Sequence, residues 1–161
     1  MKKIVLILAL IGLYSPEFAQ DKKANKNNVF LELWGSANLF SLNYERIYLI
    51  SPTINMTSRI GGSYLKIFET DLVSCPISFS TLLGKDNHRI ELGISCAYRY
   101  FRNSEGRYNN LIYGLIIGYR LQPITEHIII RITYTPIFAT SLTDNNYKFF
   151  HRGGFSFGYS F

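Results

Sequence analysis

The chain has 161 residues and a formal net charge of +6; 16% of the residues are aromatic and 17% charged. It is too apolar for a disordered chain and long enough for one domain with a sizeable core. No apolar run reaches the roughly 18 residues that a spanning helix needs, and no basic helix or aromatic–basic platform is visible, so nucleic acid is not an expected partner.

The N-terminus carries a targeting pattern. Met1-Lys2-Lys3 is positively charged, and Ile4 to Tyr14 is an apolar run too short to cross a bilayer as a helix. Ser15-Pro16 breaks the run, and Ala19 offers a cleavage point, although Glu17 is a poor residue at the −3 position. No Cys follows, so a lipoprotein anchor is not expected. The reading is a signal peptide over 1–19, a polar leader over 20–28 and a folded domain over 29–161.

From residue 29 onward, apolar and small or polar residues alternate with period two, which predicts eight β-strands. They fall at about 29–36, 39–50, 54–68, 72–83, 88–101, 111–122, 127–138 and 148–161. In the first, Val29, Leu31 and Leu33 oppose Phe30, Glu32, Trp34 and Ser36. The fifth is the cleanest: Ile90, Leu92, Ile94, Cys96, Tyr98 and Tyr100 oppose Arg89, Glu91, Gly93, Ser95, Ala97 and Arg99. The last ends Phe155-Ser156-Phe157-Gly158-Tyr159-Ser160-Phe161, aromatic on one face and nearly bare on the other. Ala37-Asn38, Ser51-Pro52-Thr53, Gly84 to Asn87, Arg102 to Asn110, Pro123 to Glu126 and Ser141 to Tyr147 read as connections.

Alternation alone does not say whether the apolar face lines a cavity, as in a soluble lipocalin-like carrier, or meets lipid. The opposite face decides for lipid. It is rich in Gly, Ser and Ala, which weaken a water-exposed strand but fit the lumen of a narrow barrel. The rest of that face is charged: Glu32, Glu45, Arg59, Arg89, Glu91, Arg99, Arg120, Arg131 and Arg152. Buried charges must be paired, so these nine are expected to form an ion-pair network in the lumen, with water or termini balancing the excess arginine. Tyr48, Tyr119 and Tyr159 lie near one rim of the apolar face, and Tyr64, Tyr98, Tyr100, Tyr113 and Tyr134 toward the other, as aromatic girdles require.

These features together resemble the small outer-membrane β-barrels of the OmpX and OmpA-barrel kind. The resemblance covers about residues 28–161 and rests on the N-terminal signal, the eight alternating strands and the terminal Phe-x-Tyr-x-Phe. It implies an all-β, eight-stranded antiparallel up-and-down transmembrane barrel, monomeric, in the bacterial outer membrane. By position, Phe157, Tyr159 and Phe161 would be the signal read by the barrel-assembly machinery. Both termini would be periplasmic, with short turns at 51–53, 84–87 and 123–126 and longer outer loops at 102–110 and 141–147. The two-residue outer connection at 37–38 and the prolines at 76 and 136 depart from an ideal barrel, and each proline is expected at a bulge or near the outer rim.

Other chemistry is sparse. With Leu83 opposite His88, Cys75 would face Cys96 directly on the lipid side; an oxidising periplasm permits a disulfide there, while direct cross-strand geometry strains it. His88, His127 and His151 show no metal spacing, and no Ser/His/Asp cluster can be assembled, so no cofactor or metal is expected. Arg99, Arg102 and Arg107 cluster around one outer loop, where they would either contact lipopolysaccharide phosphates or form a solvated basic loop. The function expected is non-catalytic, structural or surface-interacting, with outer-membrane lipid as partner. The alternatives are a lipid-modifying barrel enzyme and the soluble periplasmic carrier.

Overall fold

The computed structural model describes residues 26–36, 39–85, 87–104, 106–123, 127–141 and 147–161. The expected signal peptide and most of the polar leader lie outside the described residues. Eight antiparallel strands follow in chain order: β1 (Asn27–Leu33), β2 (Phe40–Leu49), β3 (Ile54–Ile67), β4 (Thr70–Leu83), β5 (His88–Asn103), β6 (Gly106–Leu121), β7 (Ile128–Ser141) and β8 (Tyr147–Ser160). Each pairs with its sequence neighbours, and β8 returns to β1, closing the barrel. At the seam the Asn27 and Phe161 backbones exchange hydrogen bonds of 2.8 and 2.9 Å. Val29 lies opposite Tyr159 and Leu31 opposite Phe157. Gly158 lets this seam close: a Cβ there would strike the Phe30 side chain and the Val29 carbonyl oxygen.

The register fixes the barrel's size. Starting at Asn28, successive neighbours are Glu45, Arg59, Ser78, Ser95, Gly114, Ile137 and Phe150. Asn28's own neighbour in β8 is Ser160, so the path misses its start by ten residues. Eight strands with that stagger tilt by about 40° and enclose a lumen that side chains can fill.

The apolar face points outward. Leu92, Ile94 and Phe157 are 43, 59 and 56% exposed, while Glu91 and Arg131 on the opposite face are 1% exposed. A lipocalin-like carrier is thereby overturned, since it would need that face around a cavity. The lumen also contains large apolar side chains that the small-residue argument missed: Phe30, Ile47, Leu82, Ile112, Ile116, Ile129 and Ile137 are all buried. They fill the space left beside Gly and Ser on neighbouring strands.

Several boundaries differ from the sequence reading. The barrel begins at Asn27, because Asn28 shares the lumen face of Phe30 and Glu32. β1 stops at Leu33, where Trp34 adopts a positive φ of 54° and is exposed at the rim, away from the lumen face expected for it. The first connection is therefore 34–39, closed by a Trp34 N–H to Leu39 carbonyl bond, and is longer than two residues. The polar stretch 102–110 is mostly strand: β5 reaches Asn103 and β6 starts at Gly106. Polarity marks where a hairpin leaves an apolar zone; its backbone ladder continues regardless. Two connections at this end, 68–69 and 104–105, have two residues each, so loop length does not distinguish the two ends.

Neither proline sits at a bulge. Pairing of β3 with β4 lapses between Ile60↔Ile77 and Ser63↔Ser74 and resumes in the same register, with Pro76 in the gap. Pro136 sits in a like gap between Gly114↔Ile137 and Ile117↔Tyr134. Each removes a ladder donor on one side and keeps its pairing on the other, with Ala97 and His151 respectively.

The cysteine register is also corrected. Leu83 pairs with Ile90, so Cys75 faces Tyr98 and Cys96 faces Ile77. The cysteines are diagonal neighbours on the exposed face, and both are free thiols. Alkylation of the chain under denaturing, non-reducing conditions is expected to label two thiols per chain, with identical mobility before and after reduction. A single band that gains two labels only after reduction would restore the disulfide.

Candidate functional site in the barrel lumen

The inward positions of six strands build an alternating chain of charges across the middle of the lumen. Arg120 of β6 donates through Nη1 to Glu45 Oε1 (2.6 Å) and through Nη2 to Glu45 Oε2 (2.7 Å), a bidentate pair. The same Nη2 reaches Glu91 Oε2 of β5 at 3.1 Å. Arg131 of β7 holds Glu91 from the other side, Nε to Oε2 and Nη2 to Oε1, both at 2.9 Å. Its Nη1 lies 3.8 Å from Glu32 Oε1, an electrostatic contact longer than a hydrogen bond. Arg59 of β3 closes the set, donating to Glu32 Oε1 (3.0 Å) and Ser78 Oγ (2.7 Å).

Three carboxylates and three guanidiniums thus balance, with side chains 0–2% exposed. Phe30 packs beneath two of the cations, its ring 4.9 Å from the Arg131 guanidinium carbon and 5.8 Å from that of Arg59. Such burial is tolerated because nearly every charge has an opposite neighbour and several hydrogen bonds.

Sequence reasoning missed the polar residues that extend this set. Asn28 Nδ2 donates to Glu45 Oε1 at 2.7 Å, and Gln122 Nε2 donates to Ser160 Oγ at 2.9 Å and to Asn28 Oδ1 at 3.4 Å. At the other end, Arg59 Nη2 donates to Ser36 Oγ (3.1 Å), which lies 3.4 Å from Glu32 Oε2. The connection after β1 therefore folds inward over the charges; Gly35 lies against the Glu32 carboxylate and against Gly154 of β8. Face parity alone could have placed Asn28, two and four residues before Phe30 and Glu32. Nothing in the pattern marks Ser36 as a lumen cap.

Of the nine charged residues expected in one network, three stand apart. Arg89 is the cross-strand neighbour of Arg120 toward the end that carries the termini, and it makes no ion pair among the described residues. Arg99 and Arg152 lie above the network, where they line the mouth at the opposite end. The Arg guanidinium of Arg99 sits 5.6 Å from the Phe101 ring centre. The expected cluster of Arg99, Arg102 and Arg107 is likewise divided. Arg102 and Arg107 face each other across the β5–β6 hairpin and are exposed, whereas Arg99 turns into the lumen. The period of two separates an odd from an even position on one strand.

The outer surface carries polar aromatic groups near both rims. Toward the termini, Tyr44 donates to Asn27 Oδ1 (2.8 Å), His88 bonds the Tyr119 hydroxyl, and His127 stacks on Tyr159 at 5.1 Å. At the other end, Tyr64 donates to Asp71 Oδ1 (2.9 Å), Tyr113 pairs with Thr140 (3.2 Å), and Tyr134 bonds His151. Among the described residues no cluster of three or more His, Cys, Asp or Glu could hold a metal.

No family model matches this chain, and no curated protein matches it. Among solved structures it is similar to the crystal structure of the N-terminal β-barrel domain of Pseudomonas aeruginosa OprF. The identity is 14% and the TM-score 0.50, covering 88% of this chain and 100% of that one. At that identity the likeness speaks for the fold: an eight-stranded closed antiparallel barrel.

Proposed function

We propose that this chain is a non-catalytic barrel of the bacterial outer membrane, of the OmpX and OmpA-barrel kind, with a structural or surface-interaction role. The observation that carries this reading is the inversion of polarity. A predominantly apolar exterior, edged by tyrosine and histidine, surrounds a lumen whose central charges are buried in a balanced network. An exterior of this composition is unfavourable in water and suits a hydrocarbon layer about 25 Å tall between two aromatic girdles. Packing of the middle lumen with arginine, glutamate and isoleucine argues against a wide pore.

On this reading, residues 1–19 are a signal peptide and the mature barrel starts at Asn27. Phe157, Tyr159 and Phe161, all on the outer face, form the strand recognised by the assembly machinery. Arg102 and Arg107, paired on the outer rim, lie where lipopolysaccharide phosphates would be. Closure of β8 on β1 supports a monomer, because it removes the free strand edge through which a second copy would pair.

The test is fractionation with heat-modifiable mobility. The chain is expected in the outer-membrane fraction, migrating faster on a gel when unheated than when boiled. Recovery in the soluble periplasm, or one mobility before and after boiling, would overturn the reading.

A further inference from the structure

The outer face is not evenly filled. Across β4 to β7 one exterior row runs Ile77, Cys96, Tyr113, Phe138, and the next row toward the termini runs Phe79, Ile94, Leu115. Cys96 is the shortest side chain in either row. Between the rows Ser95 pairs with Gly114, and both belong to the lumen face, so they offer only backbone to the outside. The result is an apolar groove of about 600 Å³. Ile77 and Phe79 stand on one side of it and Tyr113 and Phe138 on the other, with Cys96 and the Ser95–Gly114 backbone at its floor. Phe138 stacks on Tyr113 with ring centres 6.2 Å apart, which stiffens that wall. The described lining lies wholly within β4 to β7 and includes no connection.

The groove has a polar upper end. There the Tyr113 hydroxyl shares a hydrogen bond of 3.2 Å with Thr140 Oγ1 on the outer surface. Two hydroxyls carry two protons and use one between them, so the pair can donate to a further acceptor. An apolar trough thus runs down the barrel wall from a hydroxyl donor.

We infer that this groove holds the acyl chain of a membrane lipid, its ester carbonyl accepting from the Tyr113–Thr140 pair and its chain running past Cys96 and Leu115 toward Phe79. A void here would cost its lining the contacts that packing supplies, and a flexible unbranched chain is the apolar group at hand to fill it. A second barrel is convex and would cover the trough without entering it. Elsewhere on the exterior a lipid touches bulky side chains on one side only; here walls and floor enclose it and a hydrogen bond fixes its upper end, so this lipid is held while its neighbours exchange. The inference rests on the outer-membrane reading above.

The full chain is folded in dodecyl maltoside micelles and titrated with phosphatidylcholine that carries a diazirine in mid-chain. Native mass spectrometry counts lipids per chain; illumination and peptide mapping find where the chain lies. The wild type is expected to hold a single lipid saturably, with adducts concentrated on Ile94, Cys96 and Leu115. Cys75, exposed on the same face but outside the groove, is the internal comparison for Cys96. Cys96→Phe fills the trough and is expected to weaken binding by about tenfold or more. Tyr113→Phe keeps the wall and removes a donor, for a loss of roughly fivefold. If Cys96→Phe does not fold, as judged by heat-modifiable mobility, Cys96→Leu replaces it. Adducts spread equally over Ile60 and Phe155 near the middle of β3 and β8, unchanged binding in the folded groove variant, or a chain-to-chain dimer that excludes the lipid would each overturn the inference and leave the barrel reading intact. Failure of the wild type to fold in micelles or vesicles counts against the membrane reading instead.

Discussion

Arg120→Met is expected to destabilise the barrel by about 3–5 kcal/mol, the largest single-residue effect in the molecule. Arg120 is fully buried and holds two carboxylates at once, Glu45 bidentately and Glu91 through one bond. Removing it leaves Glu45 with Asn28 as its hydrogen-bond donor among the described residues and no direct ion pair, and a poorly compensated buried charge costs far more than the pair contributes. Glu91 keeps both of its bonds to Arg131, so the loss should concentrate at Glu45. Adding Glu45→Gln to Arg120→Met should therefore recover part of the stability, a coupling readable from a double-mutant cycle. Urea titration of the lipid-reconstituted barrel, followed by the unheated-to-heated mobility shift, measures both. A loss below about 1 kcal/mol for Arg120→Met would mean that the network is solvated and the lumen open to water.

The second large effect concerns the outer face. Ile94 is 59% exposed and lies between Phe79 and Leu115, midway along the exterior run from His88 to Tyr100. In water an exposed Ile→Arg change would be nearly neutral. At the middle of a hydrocarbon layer it costs about 2–4 kcal/mol. Ile94→Arg should lower the urea midpoint in lipid vesicles, whereas His88→Arg at the rim should change it little, because the penalty falls toward the interface. Equal, small effects at the two depths would contradict burial of this face in lipid.

The two experiments probe different links. Arg120 tests whether the lumen charges act as one unit; Ile94 tests what surrounds the barrel.

Much of this was legible in the residues themselves. Alternation put Leu92, Ile94 and Phe157 on one face and Glu91, Arg131 and Ser156 on the other, because side chains along a strand must alternate. Small residues on the second face told which side was the crowded lumen. The hairpin ends were less legible. Arg107, Tyr108, Asn109 and Asn110 are polar yet extended, since cross-strand hydrogen bonds tolerate polar side chains once a hairpin rises into water. By alternation Ser36 and Gly35 continue the first strand, although the backbone direction at Trp34 turns them over the lumen.

The pattern of side chains by itself determined which residues share a face, and hence that three glutamates and several arginines had to meet inside. It could not determine the offset between strands. A slip of two residues keeps every side chain on its own face, so a ladder with Cys75 opposite Cys96 and one with Cys75 opposite Tyr98 look identical in sequence. Only closure of the eight strands, with its ten-residue stagger, chose between them. That choice separated the cysteines, brought Arg120 to Glu45 from 75 residues away, and left Arg99 and Arg152 above the neutral network, lining the mouth of the barrel.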